Sequence, residues 1–156
     1  MLRVCFRGYS LIDEARYGRY IDKISIAIKR LDLIDEWIEE KPIHDLIQDE
    51  KTKLAIYKAF QEVVEALMDI VAMICKDLHM GPKDDYTNIG VLVTEGIIEP
   101  DHARILREAN GLRNKLIHWY NKINDEIALR SIRRLRASLR EILEVIIEWL
   151  RRQLRR

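Results

Sequence analysis

The run Gly111-Leu-Arg-Asn-Lys-Leu-Ile-His-Trp-Tyr120 places a cation (Arg113), an amide (Asn114), an imidazole (His118) and a phenol (Tyr120) within eight residues. An arginine and a histidine together are what metal-free cleavage of RNA needs. Histidine titrates near neutrality and can move the proton of the 2′-hydroxyl or of the leaving group. Arginine offsets the extra negative charge on a pentacovalent phosphorus through charge-assisted hydrogen bonds. The spacing works against a simple pairing, because side chains five apart on a regular helix diverge by about 140°. Either the helix loosens near His118, or two chains assemble the site. On residue type alone, an ion-paired arginine and a capping or core histidine are the commoner roles. Gly111 adds a further demand: glycine inside a helix costs about 1 kcal/mol relative to alanine. A close backbone approach by another helix or by a phosphate would compensate.

Other chemically capable residues carry a plainer role beside the functional one. Glu65 and Asp69 are four apart and share a helix face. Asp69 could orient Arg113 or His118, or simply pair with a lysine or arginine at the rim of the fold. Arg133, Arg134, Arg136 and Arg140 could guide RNA, although their even spread around a helix suits a solvated surface. Trp119 could stack on a base, against core or dimer-interface packing. His44, His79 and His102 are scattered and read as surface residues. Cys5 and Cys75 lack the spacing of a disulfide framework or a zinc site, so no metal and no cofactor is expected.

The elements that must position these groups are helices. A chain of 156 residues and 18.5 kDa fits one domain. With 48% hydrophobic and 34% charged residues it can build a core, and 6 glycines, 3 prolines and 7% aromatics argue against sandwiches, barrels and glycine-rich nucleotide folds. Apolar residues recur at helical spacing over about 19–41, and Lys41-Pro42 closes that stretch. A long helix is expected over about 50–80, a loop over 81–88, and a short helical turn from Ile89 to Thr94 ended by Gly96. Glu99-Pro100-Asp101 opens a helix that runs to about Trp119, and Asn124 caps a last one continuing to the end. Four long helices and a short one make an all-α, up-and-down bundle over 19–156. Residues 1–18 fit neither helix nor strand.

The net charge of +1 averages two unlike parts. Residues 1–100 hold 13 Lys/Arg against 19 Asp/Glu, a balance of −6, and residues 101–156 hold 14 against 7, a balance of +7. The basic part suits an anionic partner such as nucleic acid. No run of 18 apolar residues and no secretory leader is present, so a cytoplasmic location without a membrane is expected.

Arg113-Asn114-x-x-x-His118-x-Tyr120 resembles the Arg-x4-His-x-Tyr motif of HepT-like toxins, a branch of the HEPN superfamily. Tyr57-Lys-Ala-Phe-Gln61 followed by Glu65-Ala-Leu-Met-Asp69-Ile70 is similar to that family's second-helix pattern, and the resemblance covers about 19–150. Residues 1–18 then look like an addition to the family's usual start. The resemblance implies a metal-independent endoribonuclease toxin that dimerises so that two motifs line one cleft. It implies Arg113 and His118 as the catalytic pair, with Asn114 and Lys115 contacting RNA phosphate. Tyr120 then matches the tyrosine to which a minimal nucleotidyltransferase antitoxin, MntA-like, adds AMP. The rival implication is a non-catalytic nucleotide- or substrate-binding partner of a nucleotidyltransferase, in which Arg113 and Lys115 hold phosphate and His118 is structural.

Overall fold

A computed structural model describes residues 11–154; residues 1–10, with Cys5 and most of the stretch left open above, lie outside the described residues. Helix α1 spans Glu14–Ile38, so residues 14–18 are its first turn rather than an unassigned lead-in. Asp13 caps it by accepting from the Arg16 N–H at 2.7 Å. Tyr20, Ile24, Ala27, Leu31, Ile34 and Ile38 recur at steps of three and four and are all buried. They pack chiefly on α3, Glu50–Asp77, the most buried helix of the bundle. The chain leaves α1 through Glu39 at φ 39°, just before the predicted stop at Lys41-Pro42.

Two elements differ from the sequence reading. A six-residue helix, α2 (Ile43–Gln48), fills the joint between α1 and α3, burying Ile43 and Leu46. The expected loop over 81–88 is shorter, because helix α4 spans Asp85–Thr94. Asp84 caps α4, accepting from the Thr87 N–H at 2.9 Å and from the Thr87 hydroxyl at 2.6 Å. Buried Asn88 fixes the approach to α4: its Oδ1 accepts from the Lys83 N–H and its Nδ2 donates to the Lys83 carbonyl. Gly96, at φ 71°, supplies the left-handed residue that ends this segment.

Helix α5, Pro100–His118, begins with proline in its first turn and a reciprocal cap between Glu99 and His102. His102 is therefore a structural residue of the α5 start, with its Nε2 3.6 Å from Glu141, rather than a plain surface histidine. A short 3-10 turn, Tyr120–Lys122, leads to α6, Asp125–Leu154, and Asn124 caps it by accepting from the Ile127 N–H at 3.1 Å. The described residues thus form an all-α bundle of four long helices and two short ones, the long ones matching the four predicted. Among the described residues no helix is long and apolar enough to cross a membrane.

The charge asymmetry has an internal use. Arg136 reaches Asp35 of α1 at 3.0 Å, and Arg140 reaches Asp32 at 2.6 Å and Asp35 at 2.7 Å. Arg134 pairs with Glu108 of α5, and Arg133 donates to the Lys41 carbonyl. These four arginines are thus tied to other parts of the chain, Arg136 and Arg140 to the acidic α1, instead of standing free in solvent. Arg140→Ala should cost up to about 1 kcal/mol in urea unfolding, the range of partly exposed ion pairs. An unchanged unfolding midpoint would leave these ion pairs no part in stability.

Candidate active site

Helix α5 carries the motif, and it remains regular through His118. Arg113 and His118 therefore point about 140° apart within one chain. The helix does not loosen between them. It stops immediately afterwards, at Trp119 (φ −127°), and Tyr120 opens the 3-10 turn. Tyr120 is thus released from the helical direction that would have turned it away from His118. No left-handed residue makes this break: among described non-glycine residues only Glu39 and His79 have positive φ.

Arg113 is the anchored member. Its side chain is 17% exposed, and its Nη2 donates to Asp85 Oδ2 at 3.3 Å and to Asn110 Oδ1 at 3.0 Å. Asn110 is 1% exposed, one turn before Arg113 on the same helix. Asp85 stands in the first turn of α4. Neither was singled out from the sequence. Asn110 carried a readable signal, an amide three residues before the motif arginine inside a helix. Asp85 carried none, since its nearness depends on how α4 lies against α5.

Asp69, expected as a possible orienting group, instead accepts from Lys23 of α1 at 2.8 Å, the plainer of its two readings. It makes no bond to Arg113 or His118. Gly111 is not crowded by backbone either: a Cβ there would meet only the Tyr86 hydroxyl, at an ordinary 3.8 Å. The compensation expected for this glycine is therefore not found among the described residues. Gly111 and His118 are seven apart and point the same way, with Asn114 between them, so that side of α5 forms one continuous strip.

The remaining motif residues face outward. Asn114 is half-buried, and Lys115, His118, Trp119 and Tyr120 are exposed. Trp119 is 56% exposed, which removes core packing as its role, and Lys122 Nζ lies 5.5 Å from its ring centroid. Tyr120 is 77% exposed and its hydroxyl makes no hydrogen bond among the described residues. With Ile117 and Ile127, also exposed, these rings leave apolar surface uncovered around the motif.

A buried polar group braces this end of the bundle. Lys53 of α3 bonds Asp125 at 3.0 Å and Glu50 at 3.1 Å, and the Tyr57 hydroxyl donates to Asp125 at 2.6 Å. Burial works against the Lys53 charge, but its bonds to Asp125 and Glu50 outweigh it and raise the pKa. Burial, then the bond to Asp125, pushes the Tyr57 hydroxyl far above the ordinary tyrosine value, so it stays a donor. This group ties the start of α6, and with it the turn carrying Tyr120, to α3. Among the described residues no three His, Cys, Asp or Glu side chains gather as a metal-binding group.

The sequence pattern of the family described as ribonuclease HepT-like matches residues 27–146. Two proteins of Archaeoglobus fulgidus, each named as a candidate RNase, are 36% and 33% identical over 85% and 83% of this chain, covering 92% and 91% of their own lengths. Among solved structures, the tri-AMPylated Shewanella oneidensis HEPN toxin in complex with MNT antitoxin aligns with a TM-score of 0.76 at 21% identity. That alignment covers 83% of this chain and 96% of the toxin. The Bacillus subtilis cytosolic protein YutE, of unknown function, aligns with a TM-score of 0.76 at 16% identity, over 88% and 92% of the two chains. At these identities the structural likenesses show a shared fold.

Proposed function

The chain belongs to the HepT-like ribonuclease family, and on that premise we propose that it is a metal-independent endoribonuclease toxin whose cleft is shared by two copies. The observation that carries this reading is the state of α5. The helix is unbroken from Arg113 to His118, so one chain turns the two groups apart while both remain reachable from outside. Two copies facing each other bring the Arg113 of each opposite the partner's His118. The uncovered apolar surface around Ile117, Trp119 and Ile127 supplies the contact that such a pair needs.

In that cleft the 2′-hydroxyl attacks the adjacent phosphorus and the bond to the 5′-oxygen breaks, leaving a 2′,3′-cyclic phosphate. In each centre His118 serves as base for the 2′-proton and, once protonated, returns that proton to the departing 5′-oxygen. Arg113 carries the charge that builds on the non-bridging oxygens. Asn114 and Lys115, beside it on α5, hold the flanking phosphates. Both RNase-named relatives and the family description support the reaction class. An antitoxin partner is supported by the toxin of like fold that was solved with one, and the AMP groups on that toxin support regulation by AMP at the exposed Tyr120.

The purified protein should have about twice the 18.5 kDa chain mass by light scattering and should cut RNA in excess chelator, leaving cyclic phosphate ends. Cleavage that requires magnesium contradicts the mechanism. RNA binding without any cleavage favours the non-catalytic binding role instead.

A further inference from the structure

We propose that Asp85 and Asn110 are positioning residues that hold the Arg113 guanidinium by a single nitrogen and so turn its other terminal nitrogen toward the scissile phosphate. This inference rests on the ribonuclease reading above and adds to it the parts that set the arginine. Both acceptors engage the same atom: Asp85 Oδ2 and Asn110 Oδ1 each take a hydrogen from Nη2. Nε is buried without a partner among the described residues. Among the described residues Nη1 makes no bond, and it is not fully buried, so a ligand can reach it.

An aspartate paired with arginine often takes two nitrogens at once, which occupies the fork that would grip a phosphate. Here one corner is held and another is left open. The clamp also draws on two helices. Asn110 is buried within α5, and Asp85 belongs to α4, whose start is fixed by the Asp84 cap and by Asn88 on the Lys83 backbone. A long side chain that would otherwise sample many rotamers is thereby set before substrate arrives.

The experiment is single-turnover cleavage of an RNA oligonucleotide in chelator, with nitrogen NMR of the arginine side chains on the same proteins. Asp85→Ala and Asn110→Ala should each lower the maximal rate by about 10- to 100-fold, as misplacement of a reacting group does, with the RNA concentration for half-maximal rate little changed. Asp85→Asn, which keeps an acceptor, should recover most of the rate. In an Arg113→Ala background Asp85→Ala should do no further harm, because its effect passes through the arginine. The Arg113 terminal nitrogens should give two distinct signals in the wild type and one averaged signal when the clamp is removed. An Asp85→Ala protein that cuts as fast as wild type, or faster, overturns the proposal, as does an equal loss in the Arg113→Ala background. A wild type that cuts no RNA overturns the ribonuclease reading and the phosphate contact with it. The clamp itself is then judged by the NMR signals, and averaging in the wild type refutes it.

Discussion

His118→Ala should lower RNA cleavage by about 10²- to 10⁴-fold while leaving the fold intact, the range for losing a positioned acid or base. At 1.36 kcal/mol per tenfold, that is about 3 to 5 kcal/mol of transition-state stabilisation. The structure makes this substitution clean. His118 is exposed at the last position of α5 and makes no hydrogen bond among the described residues, so truncation opens no cavity and orphans no partner. Unfolding midpoints of variant and wild type should coincide. A variant that still cuts at the parent rate would move the proton transfer to another group. Arg113→Ala is a harsher change, because it strips the buried Asn110 amide of its partner as well as removing the cation.

Tyr120 should be the acceptor when the protein is incubated with ATP and a minimal nucleotidyltransferase of the antitoxin type. The phenol oxygen attacks the α-phosphorus, the bond to the β-phosphate breaks, and pyrophosphate leaves as the phenol loses its proton. The protein should gain mass in AMP units, and the modified protein should lose RNA cleavage, since added anionic bulk would stand where RNA phosphate must lie. Tyr120→Phe should abolish both effects. Exposure of 77%, a hydroxyl without a partner and a place beyond the end of α5 make this oxygen accessible to a second enzyme. The plainer role, a ring packed at a helix end with its hydroxyl on a backbone carbonyl, does not describe this side chain. AMP found elsewhere, with Tyr120→Phe modified equally well, would leave Tyr120 no regulatory part.

The long helices were legible because their apolar residues repeat over many turns: Tyr20 to Ile38 on α1, and Ile132 to Leu150 on α6. Helix α2 was not, because six residues offer no period to count. The start of α4 was hidden in Asp84-Asp85-Tyr86-Thr87, whose polar composition suits a loop and whose Asp84–Thr87 bond makes a cap. The motif residues were readable one by one; what holds them was not. Asp69 goes to Lys23 because α1 packs along α3, and Arg113 goes to Asp85 because α4 lies beside α5. Both pairings join residues distant in sequence, 46 and 28 positions apart, which helix periodicity cannot foresee. Part of the basic balance of residues 101–156 is taken up inside the fold for the same reason, since Asp32 and Asp35 pair with Arg136 and Arg140 from more than 100 positions away.

The claim that two chains share one centre is tested most directly by a mixed dimer. Arg113→Ala and His118→Ala chains, carrying different tags, are co-expressed and the heterodimer is isolated through both tags. One of its two centres then joins an intact Arg113 to the partner's His118, while the other centre lacks both groups. The account predicts that this heterodimer cuts RNA in excess chelator at about half the wild-type rate, while each parental homodimer is nearly inactive. A heterodimer no more active than its parents would place Arg113 and His118 in the same chain's site and contradict the account.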